Sequence, residues 1–191
     1  IEIQLKAMQE NDAVLSYGSW VKINKNGEAI KTYEMQERSG SMFESLLSNY
    51  TVNFQTLMID NNYLNNNNIS FDEDMKFSPD FNLVLRIAYS VPIMAINEIL
   101  AKYRVHSDSM SNNRKIDKLN DFDYTINFFE KLGAQKKYKN FKYISSKSRL
   151  YMLLLDAFDD KNYKYFLQVV FQYLFLITRA FLNKSNINSD F

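Results

Sequence analysis

The chain has 191 residues and a mass of 22.6 kDa, which is enough for one ordinary domain and an appendage. Hydrophobic residues make up 46% and aromatic residues 15%, so a packed core can form. The 23 Lys and Arg residues nearly balance the 22 Asp and Glu residues, which argues against a dedicated nucleic-acid-binding protein. The absence of Cys excludes disulfide scaffolds, Cys-based zinc sites and thiol catalysis, and the single His excludes any site that needs two of them.

The first ten residues predict an amphipathic helix. Ile1, Leu5 and Met8 recur at helical spacing and are expected to form its buried face. Because no capping residue precedes this helix, we interpret the sequence as the C-terminal portion of a longer protein.

Strand-like runs alternate with short helices up to about residue 105. Asn26-Gly27 predicts a hairpin turn between two of these runs, and Ser41-x-x-Glu44 has the form of a capping box that opens a helix. Strands are expected at 13–17, 20–24, 28–32, 53–59, 91–96 and 99–105, and short helices at 42–47 and 61–68. This order predicts an α/β fold with a mixed sheet, followed by a helical tail.

Ser78-Pro79-Asp80 predicts the start of a further helix. Ser is a favoured N-cap residue, Pro fits the first helical position, and an acid in the first turn complements the helix dipole. Leu83, Val84 and Ile87 are expected to form the buried face of this helix.

The remaining residues read as helices with breaks near Gly133, Lys139-Asn140 and 159–162. The last helix contains an almost continuous apolar run over 165–182, in which Gln168, Gln172 and Arg179 fall near one side. Three interpretations remain open for it: a buried helix, a helix in a membrane interface, and a membrane span. The basic segment 136–149 is either a solvated helix face or a contact with an anionic membrane surface.

Three stretches, in order, resemble the second half of the family 2 glycosyltransferases, which have the GT-A fold. The stretch Val14-Leu-Ser-Tyr-Gly18 with the Asn26-Gly27 turn resembles a strand and hairpin of that family. Ile69-Ser-Phe-Asp-Glu73, followed by Pro79-Asp-Phe-Asn-Leu-Val-Leu-Arg86, resembles its "FDE…EDydLwlR" segment. Leu100-Ala-Lys-Tyr-Arg-Val-His-Ser-Asp-Ser-Met-Ser111 is similar to its "YRvH…S.S" loop.

The resemblance implies that residues 1–113 are the acceptor-side part of a GT-A, Rossmann-like glycosyltransferase domain and that 114–191 are a helical extension. It further implies inverting transfer of a sugar from a nucleotide-sugar, with a UDP-sugar favoured, to a hydroxyl of a glycan or lipid-linked acceptor. Asp80 would be the catalytic base, and Asp72 would lie on the acceptor side. The donor diphosphate would be contacted by Arg104, His106, Ser109 and Ser111.

The sequence departs from the family pattern at and before this acidic segment. Pro79 stands where the first acid of the pair usually lies, and Asn82 and Val84 replace an acid and a Trp. The family's nucleotide pocket and its Asp-x-Asp metal motif would precede Ile1, so the expected Mg or Mn ion would be held by a motif that this chain lacks. No metal ligand is assigned with certainty here, although His106 is a candidate. The run Asp72-Glu73-Asp74 is read as a solvated turn rather than a metal site.

Two functional hypotheses follow. The first is a fragment of a bacterial glycosyltransferase that acts at the cytoplasmic face of the membrane on surface polysaccharide or lipopolysaccharide, and that is inactive as this chain alone. Peripheral membrane contact would then involve residues 165–182, and no nucleic-acid partner is expected. The alternative is a non-catalytic interaction module whose helical tail binds a partner or a membrane.

Overall fold

A four-stranded mixed sheet organises the first part of the chain. The computed structural model describes residues 1–35, 39–105, 115–159 and 163–187. The central strand is β1 (Leu15–Ile23), and β4 (Met94–Arg104) runs parallel to it along one edge. Along the other edge, β2 (Ala29–Tyr33) and β3 (Met58–Ile59) pair antiparallel with opposite ends of β1. The predicted α/β class with a mixed sheet and a helical tail is therefore confirmed.

Helices flank the strands in chain order. In the first part these are α1 (Glu2–Glu10), α2 (Phe43–Ser48), a 3-10 turn (Phe54–Thr56), α3 (Asn61–Asn66) and α4 (Pro79–Ser90). The helical tail consists of α5 (Lys115–Lys131), α6 (Ala134–Lys137), α7 (Phe141–Asp159) and α8 (Tyr163–Ile187). The chain divides into two compact units: Ile1–Leu46 with Tyr50–Arg114, and Leu47–Asn49 with Lys115–Phe191.

The hairpin prediction is confirmed, but several strand boundaries differ from the expected ones. Gly27 has a φ of 90° in the turn that joins β1 to β2. The runs 13–17 and 20–24 belong to the single strand β1, and 91–96 and 99–105 contribute to the single strand β4. Within β4 the pairing with β1 jumps from Ile96 to Ile99, so the predicted break is a bulge rather than a turn. Most of 53–59 is not a strand, because Asn53 caps a 3-10 turn by accepting from the Gln55 backbone N–H.

The predicted buried face of α1 is confirmed only at Met8. Ile1 and Leu5 are exposed, whereas Gln4 and Met8 are buried. The Gln4 Nε2 donates to the Thr56 carbonyl oxygen at 2.8 Å and to the Ser16 Oγ at 3.3 Å. A buried amide needs such partners, so these hydrogen bonds direct Gln4, rather than Ile1 and Leu5, toward the sheet.

The core of the first unit lies around α4. Leu83, Val84 and Ile87 are each at most 1% exposed, which confirms the predicted face. Asn82 is also buried. Two of the positions that depart from the family pattern, 82 and 84, are therefore interior positions of this helix.

The second unit consists, in its described residues, of helices joined by short turns. Phe129, Phe141 and Val169 are among its fully buried side chains. The predicted breaks near Gly133, which has a φ of 77°, and at 139–140 are confirmed. Arg149 on α7 forms two parallel hydrogen bonds with the Asp123 carboxylate on α5, at 2.8 Å and 2.9 Å.

Helix α8 is not the buried helix that one interpretation of 165–182 predicted. Phe171 is 71% exposed and Phe175 is 66% exposed, while Val169 on the opposite side is 2% exposed. Among the described residues, no helix has both the length and the hydropathy that crossing a bilayer requires.

Candidate functional site

The candidate site is built at the first turn of α4. This helix begins at Pro79, which lacks a backbone N–H and fits the first helical position, as predicted. Ser78 occupies the N-cap position, but its side chain makes no capping hydrogen bond. Instead, the backbone N–H groups of Asp80 and Phe81 interact with the Asp80 carboxylate. The sequence therefore predicted the start of the helix and its N-cap residue correctly, although the Ser78 side chain does not cap the helix by a hydrogen bond.

Tyr50 is the side chain that the fold brings to Asp80. Its hydroxyl donates to the Asp80 Oδ2 at 3.0 Å, across 30 positions of sequence. The Tyr50 ring also packs edge-on against the Phe81 ring, with the centroids 5.2 Å apart. Both Tyr50 and Asp80 are half-buried. A phenol held by a ring contact and a hydrogen bond fixes the orientation of the carboxylate.

The pKa values of both members of the pair are raised. Burial raises the pKa of Asp80, while the Tyr50 hydroxyl and the backbone N–H groups of Asp80 and Phe81 act in the opposite direction. Burial and the neighbouring Asp80 carboxylate raise the pKa of Tyr50 well above its usual value. Tyr50 therefore remains a hydrogen-bond donor at neutral pH, and Asp80 becomes a stronger proton acceptor than a solvated Asp.

The acidic run that precedes α4 forms a turn. The Asp72 Oδ1 accepts from the Asp74 backbone N–H at 3.1 Å. Arg86, on α4, donates to the Ser70 carbonyl oxygen at 3.0 Å, which ties the segment before this turn to the same helix as Asp80. The two halves of the "FDE…R" segment are thus joined by a direct hydrogen bond.

Arg104 lies at the end of β4 and contacts the β1–β2 hairpin. Its Nη1 donates to the carbonyl oxygens of Asn24 and Lys25, at 3.1 Å and 2.8 Å. These bonds give Arg104 a structural role, and its proposed contact with the donor diphosphate stays a prediction. His106, Ser109 and Ser111 lie outside the described residues.

No metal centre is formed by the part of the chain that the structure describes. Within 1–35, 39–105, 115–159 and 163–187, no group of three or more Asp, Glu or His side chains could hold a metal ion. The Mg or Mn ion was expected on a motif that this chain lacks, so that expectation stays a prediction.

Sequence reasoning missed Tyr50. It directly follows Ser48-Asn49 at the end of α2, where neither a periodic pattern nor a motif marks it. Only the tertiary fold brings it to Asp80.

Comparisons with known proteins find two distant relatives. No model of a known protein family matches the chain. Two curated relatives, from Rickettsia felis (strain ATCC VR-1525 / URRWXCal2) and Rickettsia conorii (strain ATCC VR-613 / Malish 7), are each 28% identical over 131 residues and are described as uncharacterized glycosyltransferases. Each match covers 66% of this chain and 21% of the relative, so the chain spans about one fifth of the length of either protein. The chain is therefore distantly similar to glycosyltransferases.

Proposed function

We propose that this chain is the acceptor-side part of an inverting glycosyltransferase with the GT-A fold, in which Asp80 is the catalytic base. Residues 1–113 would form this part and 114–191 a helical extension. The observation that carries the proposal is the half-buried Asp80 carboxylate, whose pKa is raised by burial and which the Tyr50 hydroxyl orients at 3.0 Å. The distant similarity to two glycosyltransferases supports the same class of reaction.

In the proposed step, an acceptor hydroxyl attacks the anomeric carbon of the donor sugar. The new carbon–oxygen bond forms as the bond to the diphosphate breaks, and the diphosphate leaves with the electron pair. The acceptor proton passes to the Asp80 carboxylate, for which a raised pKa is an advantage because it brings the base closer to the working pH. Attack from the face opposite the leaving group inverts the configuration at the anomeric carbon.

The other predicted site residues take supporting roles in this proposal. Asp72 would contact the acceptor, and Arg104, His106, Ser109 and Ser111 would bind the donor diphosphate, to which guanidinium, imidazole and hydroxyl donors are suited. The donor is proposed to be a nucleotide-sugar, in the first instance a UDP-sugar, and the acceptor a glycan or a lipid-linked sugar. The enzyme would act in surface polysaccharide or lipopolysaccharide synthesis, at the cytoplasmic face of a bacterial membrane.

The experiment that tests the class of reaction uses the complete gene product that contains this chain. The protein is incubated with nucleotide-sugars and candidate glycan acceptors, and product formation and anomeric configuration are followed by NMR. Acceptor-dependent release of a nucleoside diphosphate, with an inverted product, is expected. A product with retained configuration would exclude the proposed single displacement. Failure to bind any nucleotide-sugar would favour the non-catalytic interaction module.

A further inference from the structure

Helix α8 carries an apolar stripe on its exposed side. Leu167, Phe171, Leu174 and Phe175 follow one another at i, i+4, i+7 and i+8, so they lie on one face of the helix. All four side chains are more than half exposed. Large aromatic and aliphatic side chains that share an exposed helix face mark a binding surface rather than scattered surface residues.

The polar residues of α8 complete an amphipathic pattern. Gln168 and Gln172 are exposed and flank the stripe, and Lys164 lies at its start on the same face. The whole helix, Tyr163–Ile187, contains three basic residues and no acidic residue. An apolar face bordered by glutamines and cations is typical of helices that lie in a membrane interface.

The net charge of the chain is divided unevenly. Residues 115–191 contain 13 Lys and Arg against eight Asp and Glu, whereas residues 1–114 contain ten against 14. The near-neutral total therefore conceals a helical part with five excess positive charges. Several of these cations, Lys136, Lys137, Lys139 and Lys142, are exposed on and around α6 and the start of α7.

We propose that the exposed face of α8, with residues 167, 171, 174 and 175, binds the surface of an anionic phospholipid bilayer. The stripe would enter the boundary between headgroups and acyl chains, and Lys164 with the exposed lysines of the helical part would interact with the lipid phosphates. An anionic bilayer complements the positive net charge of residues 115–191. A second copy of the chain would instead bring together two helical parts of the same positive sign, which repel each other. The inference rests on the helical part of the chain and does not depend on sugar transfer.

The test is co-sedimentation of the 191-residue chain with lipid vesicles. Vesicles of phosphatidylcholine alone are compared with vesicles that also contain phosphatidylglycerol, at low and high salt. We expect binding to the anionic vesicles to be stronger by about tenfold or more and to weaken as salt screens the lysines. Equal binding to both kinds of vesicle, or binding to neither, would overturn the proposal.

Matched variants separate lipid binding from other occupants of the stripe. F171S/F175S should lower vesicle binding by about tenfold or more, because two exposed aromatic side chains no longer enter the bilayer. Ile30→Ser, which replaces an exposed apolar residue of β2, should leave it unchanged. Circular dichroism checks that each variant remains folded. If F171S/F175S binds vesicles like the unaltered chain, or if it abolishes a dimer detected by ultracentrifugation, the lipid surface is the wrong occupant.

Discussion

Replacing Gly18 by Ala should destabilise the sheet because the site has no room for a methyl group. A Cβ at Gly18 would lie 2.4 Å from the Leu100 Cδ1 and 2.8 Å from the Ile96 carbonyl oxygen, where β4 bulges against β1. The leucine side chain can rotate away, but the backbone oxygen has to move by about half an ångström to restore ordinary contact. Overpacking of this kind costs about 1–3 kcal/mol. For a chain of this size, each kcal/mol lowers the Tm by about 2–4 °C.

The assay is urea unfolding followed by fluorescence of Trp20, the single tryptophan, which lies in the same strand. We expect Gly18→Ala to lower the unfolding free energy by an amount within that range. Gly18→Ala should cost less in a Leu100→Ala background than in the original chain, because that background removes the contact with the side chain but leaves the Ile96 oxygen in place. Gly18 is not among the residues with positive φ, so a loss would reflect space rather than backbone strain. A Gly18→Ala variant as stable as the original chain would refute this reasoning.

Three further substitutions test other parts of the structure. Tyr50→Phe removes a hydrogen bond that lowers the pKa of Asp80. The acidic limb of the pH–rate profile of the complete enzyme should therefore move to higher pH. An acidic limb that does not move would exclude Tyr50 as a positioning residue. The Nε1 of Trp20 is buried and has no hydrogen-bond partner among the described residues, so Trp20→Phe should lose only ring packing, chiefly against Tyr33, and cost about 1 kcal/mol in urea unfolding followed by circular dichroism. A loss of several kcal/mol would show that the indole contributes more than this ring contact. Arg149→Met removes the ion pair with Asp123 and should lower the free energy of unfolding by about 0.5–1 kcal/mol at low salt and by less at high salt. A loss that does not depend on salt would indicate that Arg149 stabilises the protein by packing instead.

Local chemistry made parts of this fold predictable from the sequence. The Asn26-Gly27 turn, the helix that begins at Pro79 and the break at Gly133 each depend on one or two residues with restricted or unusual backbone preferences. Such preferences act over a few positions and survive in any fold that accommodates them. These predictions are confirmed for that reason.

The errors arose where distant parts of the chain decide the outcome. Hydrogen bonds from Gln4 to Ser16 and Thr56 place Gln4 against the sheet, so that Ile1 and Leu5 are exposed. The run 91–96 joined the following one because the long pairing of β4 with β1 absorbs the extra residues as a bulge. Apolar content alone also left the environment of α8 open, because it cannot distinguish a core helix from a helix with an exposed apolar face.

The candidate site was only half predictable for the same reason. Asp80 could be selected because helix-start signals and the resemblance to a known family coincide on it. Tyr50 could not, because its contact with Asp80 spans 30 positions and follows from tertiary packing. The Asp80 interactions with the backbone N–H groups of residues 80 and 81 could not be distinguished in advance from a cap formed by Ser78.

The turnover of Asp80→Asn in the complete enzyme tests the central claim most directly. Because burial raises the pKa of Asp80, the folded protein binds more protons than the unfolded chain between the usual Asp pKa and the raised value. At pH values above the raised pKa, the ionised Asp80 carboxylate therefore lowers the stability of the folded protein. The uncharged amide of Asp80→Asn should leave the stability at neutral pH unchanged or higher.

If Asp80 is the base, this variant keeps its Tm and its affinity for the nucleotide-sugar but loses about 100-fold or more in kcat. The control Glu73→Gln, in the exposed acidic turn, should retain full activity. An Asp80→Asn enzyme with unchanged kcat would contradict the proposed role and leave Asp80 as an acid that only complements the helix dipole.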